Sequence, residues 1–162
     1  MVNIRIGYGF DVHRLVRKRA LFLGGRRIPF AKGLLGHSDA DVLLHAIGDA
    51  LLGSLALGDL GKHFPDTDPA FKNADSKALL SKIHTLIIKA GWKVGNVDAM
   101  LMAQAPKVAP YVPAMRETIA RILKITVSQV SVKATTTEGL GFTGRGEGMA
   151  ASAVVLVQMK RR

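Results

Sequence analysis

The sequence predicts an α+β fold: a mixed four-stranded sheet with helices packed on one face (a two-layer sandwich), plus a small β-hairpin. Three observations lead there. Strand-like segments lie near residues 2–10, 94–102, 127–135 and 149–157, spread from one end of the chain to the other. Segments with helical spacing, 39–56, 75–90 and 113–123, fall between them. The resulting order, β, hairpin, α, α, β, α, β, β, supplies three amphipathic helices to lay against one sheet.

Each element has a local reason. Val2, Ile4 and Ile6 alternate with Asn3 and Arg5, the period of a strand, and Gly7 and Gly9 imply a bend or a close backbone approach. Gly7-Tyr8-Gly9 lacks the third glycine of a dinucleotide fingerprint. Leu21–Phe30 reads as a hairpin turning at Gly24-Gly25. Ser38 is placed to cap the first helix, with Asp41 as the capping-box acid. Val42, Leu43, Leu44, Ile47, Leu51 and Leu52 form its apolar face. Residues 58–69 are too rich in Gly, Pro and Asp for a regular element and predict a long functional loop. Leu79, Leu80, Ile83, Leu86 and Ile87 mark the second helix, and Pro113 opens the third. Gly95-Asn96 interrupts the strand that follows the second helix, and the nearly all-apolar 149–157 predicts a central strand.

The 162 residues suit one domain spanning 1–162, with no linker or fixed-period repeat. There are no cysteines, so disulfides and thiolate metal sites are excluded, and any metal must be held by His, Asp and Glu. No apolar h-region or membrane-length run is present, so a cytoplasmic protein without membrane attachment is expected. The net charge of +11 points to anionic partners, with basic residues clustered in Arg14–Arg19, at Arg26-Arg27 and in the tail Lys160-Arg161-Arg162.

Two stretches carry chemistry. Asp41, His45 and Asp49 recur every four residues along one helical stripe, which reads as a solvated polar face or as a ligand face. Upstream, Asp11 and His13 stand two apart; if the strand continues through them, both point to the same side. Asp11, His13 and His45 together would make a three-ligand site with an open fourth position, the arrangement of a catalytic zinc. The alternative is an Asp and a His bonding to nearby loop backbone. The glycine-rich 139–148 segment, next to hydroxyls and Arg145, suits phosphate oxygens.

The motifs Gly9–His13, His37-Ser38-Asp39, Leu57–Gly61, Phe64–Asp68, Ala103–Lys107 and Lys133–Gly148 together resemble the 2-C-methyl-D-erythritol 2,4-cyclodiphosphate synthase family over nearly the whole chain. The resemblance implies an enzyme of the non-mevalonate route to isoprenoids, acting on 4-diphosphocytidyl-2-C-methyl-D-erythritol 2-phosphate and releasing CMP. It implies zinc on Asp11, His13 and His45, and a second divalent cation, Mg2+ or Mn2+, helped by Glu138. His37 and Thr136 would stabilise the transition state or fix the phosphates, with Glu138 completing the catalytic group. The substrate would be bound by Asp11, Val12 and His13, by His37 and Ser38, and by Asp59, Leu60 and Gly61 of the erythritol loop. Phe64, Pro65, Asp66, Thr67 and Asp68 extend that wall. Ala103, Gln104, Ala105, Pro106, Lys107, Val108 and Ala109 would form the cytidine pocket, and Thr135, Thr136, Thr137 and Glu138 the phosphate end. Phe142 and Arg145 would lie near a central cavity of a homotrimer with sites between subunits. Asp49, one turn beyond His45, is a candidate partner for that ligand.

A basic nucleic-acid-binding module would account for the charge. It leaves the separated His/Asp/Glu clusters unexplained, and the six Phe, two Tyr and one Trp stand mostly in apolar contexts. A structural or storage zinc protein would use Asp11, His13 and His45 but leave Thr135–Glu138 idle.

Overall fold

The computed structural model describes residues 3–160. Val2 of the expected first strand and Arg161 and Arg162 of the basic tail lie outside the described residues. The strands are β1 (Ile4–Arg17), β2 (Leu21–Leu23), β3 (Arg26–Ile28), β4 (Lys32–Leu34), β5 (Trp92–Met102), β6 (Val130–Thr135) and β7 (Gly148–Met159). The helices are α1 (Val42–Ser54), α2 (Leu60–His63), α3 (Ser76–Lys89), α4 (Val112–Leu123) and α5 (Gly141–Gly144). The main sheet runs β4-β1-β7-β5-β6, and β2-β3 form the separate hairpin. The α+β sandwich is as expected, with five strands rather than four. The extra edge strand β4 is three residues long, between Pro29 and Gly36, too short to show any periodicity. Among the described residues no helix is long and apolar enough to cross a membrane.

Only β5 and β6 run parallel; the other main-sheet pairings are antiparallel. A parallel pair needs a crossover, and α4 supplies it. β7 sits at the centre and is buried along most of its length, as its apolar run predicts. Gly95 does not end the strand it interrupts. It sits at a register shift between Val94 and Asn96, and β5 continues through it.

β1 is longer than its sequence suggested. It pairs with β7 from Ile4↔Gln158 to Arg14↔Gly148, so the extended conformation carries through Asp11 and His13. Gly7 and Gly9 mark close approach rather than a bend. A Cβ on Gly7 would fall 1.8 Å from the Ala50 carbonyl oxygen, and one on Gly9 would fall 2.0 Å from that of Ala46. α1 therefore rests on the bare backbone of β1. Helix α1 is buried on nearly all sides, between the sheet and α3. The even-numbered side chains of β1 take the opposite face: Ile6 is 67% and Tyr8 64% exposed, with Ile4, Phe10 and Val12 also exposed.

Helix α1 starts later than 39, and its cap is not Ser38. Ala40 adopts a positive φ of 55°, which no helix admits, so Asp41 becomes the N-cap. The buried Asp41 carboxylate accepts from the Leu44 N–H at 3.1 Å, the Gly24 N–H at 2.9 Å and the Gly25 N–H at 2.6 Å. Gly24 and Gly25 both have positive φ, the requirement of a two-residue hairpin turn, and that turn presents their N–H groups to the helix start. One carboxylate thus caps α1 and ties the hairpin to it.

Candidate active site

The strand places Asp11 and His13 on the helix side of the sheet, and α1 lays His45 over them. Asp11 Oδ2 lies 3.0 Å from His13 Nε2 and 3.0 Å from His45 Nδ1, and the two ring nitrogens are 3.2 Å apart. Among the described residues this is the group of His and acidic side chains arranged to hold a metal ion. Ligand atoms bonded at about 2.0–2.1 Å in a tetrahedron sit about 3.3–3.4 Å from one another, close to this triangle.

The outer contacts fix which nitrogen carries each proton. His13 Nδ1 faces the Leu35 carbonyl at 2.8 Å, and a carbonyl only accepts, so Nδ1 is protonated. His45 Nε2 lies 2.9 Å from Ser76 Oγ and 3.2 Å from Ser38 Oγ. Ser76 Oγ donates its own hydrogen to Asp39, so it accepts from His45 Nε2. His13 Nε2 and His45 Nδ1 are then bare lone pairs, facing each other and a carboxylate. Three lone-pair donors at this separation repel unless a cation stands among them. The residues therefore fit a divalent metal, with Leu35, Ser38, Ser76 and Asp39 orienting its ligands. In the absence of a cation, a proton on the ring takes its place beside Asp11. Burial alone would push the Asp11 carboxyl up, but hydrogen bonds and charge from His13 and His45 outweigh it and lower it to about 2. Burial would lower the His13 imidazole, but the Asp11 hydrogen bond and charge, with the Leu35 carbonyl, leave it raised.

A pocket of about 190 Å³ opens beside these ligands, lined by Asp11, His13, His37, Ser38, His45, Leu60, Gly61, Phe64, Asp66, Phe71 and Leu79. Phe71 and Leu79 are additions; both look like ordinary core residues in the sequence. The segment carrying His37 and Ser38 is braced by Arg19, whose guanidinium donates to the Gly36 carbonyl at 3.2 Å and the Ser38 carbonyl at 2.8 Å. Asp49 does not reach His45: its carboxylate accepts from the Leu60 N–H at 2.8 Å and so positions the first residue of α2. Burial raises the Asp49 carboxyl, against the Leu60 N–H. Asp59 caps α2 by accepting from the Lys62 N–H at 2.9 Å, and Asp68 accepts from the Ala70 N–H at 2.9 Å. Pro65 and Thr67 stand in the same loop without lining the pocket, and Val12 points to the opposite face of the sheet.

The other named residues gather elsewhere, at the C-terminal ends of β5 and β6. The Ala103 N–H donates to the Thr135 carbonyl at 3.0 Å, which sets the 103–109 loop beside the threonines. In that loop Ala103 and Val108 are buried, while Gln104, Ala105, Lys107 and Ala109 are exposed and Pro106 is half-buried. Thr136 Oγ1 donates to Glu138 Oε1 at 3.1 Å, and Glu138 is exposed with a positive φ of 53°. Thr137 hydrogen-bonds Thr143 at 2.8 Å. Arg145 pairs with Glu147 at 2.9 Å, and Phe142 packs over Gly148. Across the register, Asp11, Ala151, Leu101 and Ala134 lie in one row on β1, β7, β5 and β6. Three strand spacings separate its ends, about 14 Å.

The family model described as the YgbB family matches residues 4–158. A protein of Pelobacter propionicus named 2-C-methyl-D-erythritol 2,4-cyclodiphosphate synthase is 64% identical over 95% of this chain and 98% of its own length. The bifunctional IspDF from Campylobacter jejuni superimposes with a TM-score of 0.95 at 44% identity, over 99% of this chain and 43% of that one. A 2C-methyl-D-erythritol-2,4-cyclodiphosphate synthase in its CDP-bound form superimposes with a TM-score of 0.88 at 37% identity, over 95% of this chain and all of that one. The chain therefore belongs to the YgbB family, that of the 2-C-methyl-D-erythritol 2,4-cyclodiphosphate synthases.

Proposed function

We propose that this chain cyclises 4-diphosphocytidyl-2-C-methyl-D-erythritol 2-phosphate to 2-C-methyl-D-erythritol 2,4-cyclodiphosphate, with zinc held by Asp11, His13 and His45. The observation that carries the reading is the convergence of three lone-pair donors on one point beside a pocket, with every remote nitrogen already committed. An oxygen of the 2-phosphate bonds to the β-phosphorus. The bond from that phosphorus to the bridging oxygen breaks, and CMP departs with the electron pair. Because the nucleophile belongs to the substrate, the protein's task is positioning and charge neutralisation. Zinc on Asp11, His13 and His45 would supply a Lewis acid to the diphosphate, and a second divalent ion near Glu138 would supply further neutralisation of phosphate charge.

The chain's own residues do the rest. His37 and Ser38, on the segment braced by Arg19, fix the phosphates at the metal side. Leu60, Gly61, Phe64 and Asp66 hold the erythritol part. Ala103–Ala109 receives the cytidine base, with Lys107 near a phosphate, and Thr135–Glu138 hold the diphosphate. These two groups sit about three strands from the metal ligands within one subunit, which favours a site completed by a neighbouring subunit. The exposed apolar row Ile4, Ile6, Tyr8, Phe10 and Val12 favours the same assembly, a homotrimer.

The test is incubation of the purified protein with the cytidine diphosphate substrate, following CMP. Stoichiometric CMP and cyclic diphosphate are expected, lost on chelation and restored by zinc. Intact substrate after incubation with zinc and magnesium would overturn the reading. Light scattering is expected to give about three times the 17.4 kDa of one chain.

A further inference from the structure

Far from the metal ligands lies a cleft of about 870 Å³, lined among others by His84, Lys89, Lys93, Lys124 and Lys160. The cleft is cut between the last turns of α3, the start of β5, the end of α4 and the end of β7. α3 touches both places: Ser76 in its first turn holds His45, and its last turns wall the cleft. Thirteen residues of helical rise, about 20 Å, separate Ser76 from Lys89.

Three features of the cleft require an explanation. First, among the described residues its wall carries four lysines and no aspartate or glutamate. Among the described residues, the ion pairs of the chain involve none of the four. Second, His84 is 6% exposed, lines the cleft and makes no hydrogen bond among the described residues. Its imidazole is thus a polar group in the cleft wall with no partner among the described residues. Third, Ile88, Val94, Leu123 and Ile125 give the same cleft an apolar wall. The C-terminal ends of α3 and α4 attract cations, which offers a reason for Lys89 and Lys124. Two helix ends amount to about one negative charge, and Lys93 lies on β5 and Lys160 just past the end of β7, away from both. Net positive charge remains.

We propose that this cleft binds a phosphorylated small molecule, its phosphates held by the four lysines and His84 and its carbon portion lying on the apolar wall. The volume is that of a small-ligand pocket, and a concave site of this size does not take a nucleic-acid duplex or a flat membrane surface. Binding is linked to proton uptake by His84. Burial, with the charges of Lys124 and Lys160, lowers that imidazole in the free protein. Lys89 and Lys93 are the other charged groups lining the cleft. A bound anion offsets all four cations and accepts a hydrogen bond from the imidazolium, so the His84 pKa rises when the cleft fills.

The experiment follows the imidazole resonances of the five histidines by NMR while inorganic diphosphate is added to the wild-type protein, with His84→Gln assigning one of them. A saturable shift of the His84 resonance is expected, with its titration midpoint moving to higher pH. The exposed pair Lys124→Gln/Lys160→Gln is expected to weaken that binding about tenfold or more while CMP release stays unchanged. A His84 resonance that stays still while those of His13, His37 or His45 move would overturn the proposal. So would unchanged affinity in the double variant, or binding of anionic vesicles or RNA with none of diphosphate.

Discussion

Gly9→Ala tests how α1 positions the metal ligand it carries. The added Cβ would lie 2.0 Å from the Ala46 carbonyl oxygen and 2.6 Å from the Ala50 nitrogen. Both are backbone atoms of a buried helix, so neither can rotate away. An ordinary contact needs about 3.3–3.5 Å, and the helix must retreat by roughly 1.3 Å. Overpacking costs about 1–3 kcal/mol where side chains adjust; where a helix must lift, the upper end applies, about 3 kcal/mol. Against a typical total of about 5–15 kcal/mol, that is a large share. His45 stands one residue before Ala46, so the same retreat carries its Nδ1 away from Asp11 and His13. A metal bond near 2 Å stretched by about an ångström is lost. Zinc affinity is expected to fall at least about 100-fold, the upper end of what misplaced ligand supports cost. Urea denaturation of the metal-free protein measures the first effect, and zinc titration of the folded protein the second. Gly53→Ala is the control. Its Cβ meets only the Tyr8 carbonyl oxygen at 3.9 Å, inside a helix, so it is expected to gain up to about 1 kcal/mol. A Gly9→Ala protein within about 0.5 kcal/mol of wild type, with unchanged zinc affinity, would refute the claim that α1 rests on β1 backbone.

Other substitutions test separate parts of the site and scaffold. His45→Ala is expected to abolish CMP release and lower zinc content in a protein with an unchanged circular dichroism spectrum; full zinc occupancy with near-normal turnover would remove His45 from the ligand set. Glu138→Gln keeps the shape and removes the charge, so zinc is expected to stay bound while the rate falls by orders of magnitude and the magnesium requirement moves upward. Superimposable magnesium titrations would show that Glu138 holds no second ion. Asp41→Ala strips the acceptor from the Gly24, Gly25 and Leu44 N–H groups, and thermal or urea unfolding is expected to show a loss of about 3–5 kcal/mol.

What the sequence revealed followed from short-range periodicity. Spacing of two on a strand and a histidine on an amphipathic helix were enough to group Asp11, His13 and His45, because each rule acts within a few residues. What it hid depends on tertiary placement. Ser76 secures His45 from a helix start 31 residues further on, where no local pattern marks it, and Asp39 acts only through Ser76, whose hydrogen it accepts. Asp49 shares a helical stripe with His45, yet the Leu60 N–H claims its carboxylate because the 58–69 loop folds back over α1. Ser38 has the right chemistry for a cap, but the positive φ of Ala40 moved that role to Asp41. The cleft around His84 joins the ends of four elements, and in the sequence Lys89, Lys93 and Lys124 read as separate surface charges and Lys160 as part of a basic tail.

The pairing of β1 with β7 also sets when the site can come into being. Asp11 stands opposite Ala151 and His13 opposite Met149, so the strand that carries these two residues takes its long partner from a segment some 140 residues further along the chain. At about 5–20 residues added per second, some 140 residues of synthesis leave β1 waiting roughly 7–28 s on the ribosome. During that interval only the short β4 lies upstream of the later strands to pair with it, through Leu15↔Leu34 to Arg17↔Lys32. The alternating apolar row of the emerging β1 stays open throughout, an aggregation hazard in the nascent chain. Capture of a metal ion by Asp11, His13 and His45 is therefore expected only after β7 has been made. A divalent ion supplied earlier would meet Asp11 and His13 on a strand that its pairing with β7 does not yet hold beneath His45.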